Sequence, residues 1–121
     1  MRPHENLEVW LNAIEFVVMI YERTKKFPSE EKFGLTSQLR RASVSIPANI
    51  AEGAARQSDK EFIHFLAIAQ GSCSEVETEI LIAQKLGFLP QAEYKELKAE
   101  ADSIGRMLIG LSKHLKKKIQ L

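Results

Sequence analysis

Apolar residues recur at steps of three and four along almost the whole chain, and nowhere does a strict two-residue alternation persist. That period belongs to helices packed on one side, so the pattern predicts an all-α protein. Over about residues 6–26, Leu7, Trp10, Leu11, Ile14, Val17, Val18 and Tyr21 make one stripe, and Val9, Ala13, Phe16 and Ile20 a second beside it. So broad an apolar arc exceeds what a single neighbouring helix can cover, and part of it is expected to face another subunit. Trp10 should be partly or wholly buried.

Phe27 and Pro28 end this segment, and the polar run SEEKFG leads to a second helix over about 34–56. Its core side reads Leu35, Leu39, Ala42, Ile46, Ile50 and Ala54. The remainder is rich in small residues (Ser43, Ser45, Ala48, Ala51, Gly53, Ala55), which let other backbones approach closely. Ser58 with Glu61 forms the S-x-x-E capping pattern that opens a third helix. Its inward residues would be Phe62, Phe65, Leu66, Ala69, Cys73, Val76, Ile80 and Ala83, with Gly87 as a left-handed stop. Pro90 suits the first position of a fourth helix. There Tyr94, Leu97, Ala101, Ile104, Leu108, Leu111 and Leu115 alternate steps of three and four, the pattern of left-handed bundle packing. Short connections make successive helices antiparallel neighbours, so the expected fold is an up-down-up-down four-helix bundle in one domain spanning residues 1–121.

Composition narrows the chemistry. No apolar run approaches the roughly 18 residues of a membrane span, and the charged start MRPHENLEVW lacks the apolar stretch of a signal peptide, so a cytoplasmic location is expected. Cys73 is the sole cysteine, which excludes an intrachain disulfide and any multi-thiolate metal site within one chain. It falls on the apolar side of the third helix, as a small buried hydrophobe does. Glu61-x-x-His64 matches half of a di-iron bundle motif, but His114 follows Leu111 and His4 follows Met1 at that spacing, so no second copy exists. No metal, cofactor or catalytic residue is assigned. Glu75 and Glu79 share a helix face, and an ion-paired or solvated role fits them better than acid–base catalysis. Phosphate-binding glycine loops, nucleophile elbows and H-E-x-x-H pairs are absent from the sequence, and no enzyme reading has positive support.

The net charge of +1 predicts no bulk attraction to nucleic acid, so any such binding must come from local clustering. In the antiparallel bundle Arg2, Arg56, Lys60, Lys113, Lys116, Lys117 and Lys118 collect at one pole, diluted by Glu5, Glu52, Asp59 and Glu61. Lysines at a helix C-terminus also complement the macrodipole.

The run RRASVSIPANIAEG at 40–53 raises a further question, because an interior proline costs about 3 kcal/mol and bends a helix. GLTSQLRRASVSIPANIAEG, the preceding LEVWLNAIEFVVMIYERTKKFP and the following SDKEFIHFLAIAQGSCSEVETEILIAQKLGFL together resemble the 23S rRNA-intervening-sequence proteins, over about residues 6–89. The resemblance implies a small bacterial four-helix bundle that assembles as a homopentamer. A related branch, the accessory variability determinant of diversity-generating retroelements, binds nucleic acid and a reverse transcriptase. By that analogy RNA or DNA, and a reverse transcriptase, are the partners to consider. Arg40, Arg41, Pro47, Asn49, Glu52 and Gly53 stand at the family's central motif. Pro47 leaves the Ser43 carbonyl without its helical donor, so the second helix is expected to bend there and shape the assembly. Arg40 and Arg41 point about 100° apart. One is expected to pair with Glu75 or Glu79, the other to reach phosphate or a second subunit.

Overall fold

A computed structural model describes residues 1–120. It contains four helices, α1 (Glu8–Thr24), α2 (Leu35–Ala54), α3 (Asp59–Lys85) and α4 (Gln91–Gln120), with 3₁₀ turns at Pro3–Asn6 and Ser29–Glu31. Neighbours around the bundle are α1–α2, α2–α3, α3–α4 and α4–α1. Side-chain contacts give the directions. Ser45 at mid-α2 meets Ser72 of α3 at 2.8 Å, while Gly53 near the end of α2 lies against Phe62 and Phe65 near the start of α3. Lys98 of α4 meets Glu77 of α3, and Lys118 meets Asp59. Arg23 ending α1 pairs with Glu93 and Glu96 opening α4. Middle meets middle and late residues meet early ones, so the helices run up and down alternately.

The termini follow from local chemistry. The Ser58 hydroxyl accepts from the Glu61 backbone N–H at 3.1 Å and caps α3. At the other end Gly87 takes φ +83°, with Phe88 N–H bonded to Ala83 O and Gly87 N–H to Gln84 O, the double closure of a Schellman motif. Pro90 sits one residue earlier than expected, just outside α4, where its carbonyl accepts from Tyr94 N–H.

Phe16 and Ile20 of α1, Leu39, Ile46 and Ile50 of α2, Leu66 and Ile80 of α3, and Leu97, Ile104 and Leu108 of α4 have essentially no exposed surface. Burying each such side chain contributes about 1.5–3 kcal/mol. The inward residues expected on α2, α3 and α4 are largely those found; Phe62, Phe65, Tyr94 and Leu111 are half-buried at its margin. On α1 the protomer chooses between two stripes. Val9, Ala13, Phe16 and Ile20 are buried, whereas Leu11, Ile14, Val18 and Tyr21 are 37–48% exposed. Trp10 is half-buried, with the His4 ring edge-on to it at 4.8 Å.

Candidate functional site

The exposed stripe of α1 is a seam of large apolar side chains on an outer surface, where a free-standing protein would carry polar ones. Leu11, Ile14, Val18 and Tyr21 alternate steps of three and four along it, with the half-buried Leu7 just before α1. Glu8, Glu15 and Glu22, each seven residues from the next and all exposed, line one flank.

Its orientation is set partly by Arg40. The Arg40 guanidinium donates through Nε to Thr24 Oγ1 at 2.9 Å and through NH2 to the Tyr21 carbonyl at 3.4 Å, and it lies over the Tyr21 ring, 4.5 Å from the centroid. Thr24 Oγ1 in turn donates to Ile20 O at 2.7 Å. A cation therefore sits on the last carbonyls of α1, where the helix dipole favours it. This corrects the expectation that Arg40 or Arg41 pairs with Glu75 or Glu79. Arg40 faces α1, and among the described residues no carboxylate lies within 4.0 Å of Arg41, which is exposed on the outer side of α2. Arg41 and the two glutamates line one cleft of about 460 Å³ between α2 and α3, together with Phe33, Ser37, Gln38, Ser45 and Ser72. Glu79 Oε1 is buried without a hydrogen-bond partner, and burial first, then the charge of Glu75, pushes its carboxyl above the usual range.

Of the central motif residues of α2, Pro47 and Gly53 are buried, Arg40 and Asn49 half-buried, and Arg41 and Glu52 exposed. Helix α2 runs through Pro47 without a break. Ser43, Pro47 and Gly53 are buried within the protomer, so any part they take in assembly passes through the shape of α2. The Ser43 hydroxyl donates back to Arg40 O, and the Asn49 amide donates to both O and Oγ of Ser45. A Cβ on Gly53 would stand 2.8 Å from Phe65 Cβ and 2.9 Å from Phe62 Cδ1. Only hydrogen at that position lets α2 and α3 close at this end.

The basic pole is assembled and partly neutralised. Arg56 bonds Glu52 at 2.7 Å and stacks on the Phe65 ring at 4.8 Å, and Lys118 pairs with Asp59 at 3.4 Å. Lys60, Lys113, Lys116 and Lys117 are exposed at the same end. Arg40 and Arg41 lie apart from this pole, roughly 22 Å from Arg56 along α2, so they do not form a single patch with its cations. Glu61 and His64 are exposed on α3, His64 edge-on to Phe65, and among the described residues no three metal-ligating side chains cluster. Cys73 is buried, with Sγ 3.3 Å from the Ala101 carbonyl; burial and then the nearby Glu77 charge push its thiol up to about 11, so it stays protonated and inert. No helix among the described residues is long and apolar enough to cross a membrane.

Two contacts had no counterpart in the sequence reading. The Arg40–Thr24–Tyr21 cluster joins residues 16 and 19 apart, across a helix–helix contact that carries no local sequence signal. Lys98, held between Asp102 at 2.6 Å and Glu77 at 3.3 Å, links α3 to α4; its i,i+4 half is visible in the sequence, the cross-helix half is not.

Comparison with known proteins brings these features together. A family model described as 23S rRNA-intervening sequence protein matches residues 5–110. Among solved structures, a crystal structure from Bacteroides thetaiotaomicron VPI-5482, described as a protein with unknown function from the S23 ribosomal protein family, is similar with a TM-score of 0.78. It is 27% identical, and the match covers 87% of this chain and 98% of that one. No curated protein matches significantly.

Proposed function

The chain belongs to the 23S rRNA-intervening sequence protein family, and on that premise we propose that it is a non-enzymatic, self-assembling helical bundle whose assembled form binds nucleic acid through its basic pole. The observation that carries this reading is the outer face of α1. Four large apolar side chains, Leu11, Ile14, Val18 and Tyr21, lie in register on a surface the protomer does not cover. Removing them from water is the driving force for association. A five-fold ring is what the family resemblance implies. It would repeat the cations Lys60, Lys113, Lys116 and Lys117 around an axis. Weak phosphate contacts then act together, although a single protomer carries a net charge of only +1.

A second reading, a protein-interaction scaffold indifferent to nucleic acid, is favoured by one observation. Arg56 and Lys118 already engage Glu52 and Asp59, which leaves the pole with fewer cations than its sequence displays.

Light scattering after size exclusion, with and without a short structured RNA, separates the two. A five-chain mass that gains RNA at low salt and sheds it as salt rises supports nucleic-acid binding, because each neutralised phosphate steepens the salt dependence. Lys116→Gln with Lys117→Gln should then flatten that dependence and leave the protein mass unchanged. A five-chain mass indifferent to RNA leaves the scaffold. A monomer at every accessible concentration overturns both readings.

A further inference from the structure

The cleft between α2 and α3 lies within one protomer, and neither the apolar seam of α1 nor the basic pole uses it. Its volume of about 460 Å³ is that of a small-molecule site. The antiparallel register sets its layout. Ser45 and Ser72, which both line it, hydrogen-bond across it at 2.8 Å and mark one level. Counted from that level along the two helices, Glu75 stands about 4.5 Å away, Arg41 about 6 Å and Glu79 about 10.5 Å. Phe33, just before α2, closes the Glu79 end.

The charged groups of the cleft lack partners within the chain. Glu79 Oε1 is buried without a hydrogen bond. Among the described residues no cation lies within 4.0 Å of the Glu75 or Glu79 carboxylate, and no carboxylate within 4.0 Å of Arg41. The Phe33 ring is 89% exposed and already attracts a cation, with Lys32 Nζ 5.5 Å from its centroid. A carboxylate oxygen buried without a donor is costly, and a like charge one helical turn away adds to that cost. A cation with several N–H donors, seated between the two carboxylates, relieves both.

We propose that this cleft binds a small free guanidino acid, its guanidinium bridging Glu79 and Glu75 beside the Phe33 ring and its carboxylate meeting Arg41. A guanidinium suits the site better than an ammonium. Its planar fork can serve two carboxylates at once and stack on an aromatic face, and it is more weakly hydrated, whereas an ammonium is a compact, strongly hydrated point charge. A metal ion suits it less, since no three metal-ligating side chains cluster among the described residues. The simplest competitor is Arg41 itself, swung across onto Glu75, in which case the cleft needs no ligand. The two alternatives give Arg41 opposite roles: it holds the carboxylate of the ligand, or it competes with its guanidinium.

Equilibrium dialysis of the full chain against radiolabelled L-arginine makes the test. One saturable site per chain with a Kd below about 1 mM is expected. L-citrulline, which has nearly the same shape with a neutral head, should compete at least about tenfold more weakly, and Glu79→Gln should weaken L-arginine by a similar factor. Arg41→Gln should also weaken L-arginine about tenfold, yet leave unchanged the binding of agmatine, which has the guanidinium and no carboxylate. Circular dichroism verifies that each variant retains its helices. N-acetyl-arginine methylamide, which presents the side chain as a polypeptide does, should compete no better than agmatine. Tighter competition by it than by L-arginine overturns the free acid in favour of an arginine on a protein. No saturable site for L-arginine, equal competition by L-citrulline, or stronger L-arginine binding to Arg41→Gln overturns the proposal, the last because Arg41 is then the occupant. None of these outcomes bears on the oligomeric mass or on RNA binding, which stand or fall separately.

Discussion

Helix α1 has two apolar faces that look alike in sequence and behave differently in the protomer. Val9, Ala13, Phe16 and Ile20 lie in the core, whereas Leu11, Ile14, Val18 and Tyr21 lie outside it. Both faces have helical spacing, with the same alternation of steps of four and three. Apolarity therefore does not identify a protomer's core. What distinguishes the faces is size and fit: the inner one has Ala13 at its centre, with no exposed surface, where a neighbouring helix must come close. The outer one has no small residue at its centre, and its side chains stay 37–48% exposed.

Substitutions on the two faces should separate them sharply. Phe16→Ala is expected to cost about 3–5 kcal/mol in denaturant unfolding at any protein concentration, because it opens a cavity in the protomer core. A loss below about 1 kcal/mol would mean that the inner face is not the core. The closest helix approach comes next. Gly53→Ala should cost about 1–3 kcal/mol, since the new methyl meets Phe62 and Phe65 of the same chain. If it weakened only the assembly, Gly53 would belong to the outer surface instead.

Arg40 ties α1 to α2, so Arg40→Ala should lose about 1–2 kcal/mol, while Arg41→Ala stays within about 0.5 kcal/mol in the dissociated protomer. Equal losses would dissolve the distinction between an inward and an outward arginine. Val18→Lys should likewise change the protomer by no more than about 0.5 kcal/mol. Its larger effect is qualitative: the concentration dependence of Tm that an assembling protein shows should disappear.

The smallest effect is a matter of sign. Glu79 is held above the ordinary carboxylate range, so between that range and its raised value the folded state binds more protons than the unfolded one. Stability therefore falls as pH rises through that window, and the penalty is fully present above the raised value. Glu79→Gln should shift the urea midpoint upward near neutrality and lose this advantage in acid. An unchanged midpoint at neutral pH would show that a cation or water already satisfies the carboxylate.

The four helices, their order and most of their inward residues were legible because helical period, the Ser58 cap and the Gly87 stop are all local signals. The cysteine was legible for the same reason, lying within the α3 stripe. Arg40 was not. Its partners Thr24 and Tyr21 lie across a helix–helix contact, and adjacent arginines carry no local sign of which faces inward. The pairing expected with Glu75 and Glu79 failed on that point: the exposed Arg41 lines their cleft without a direct bond.

By itself, then, the sequence determined the secondary structure and the bundle, since hydrophobic spacing, caps and short loops act over a few residues and leave few alternatives. Tertiary structure alone decided which stripe of α1 is core and which is surface, which arginine closes a helix, and which small residues are buried. Those outcomes depend on the rotation of each helix about its own axis, which is set by packing against both neighbouring helices at once and which no single segment encodes.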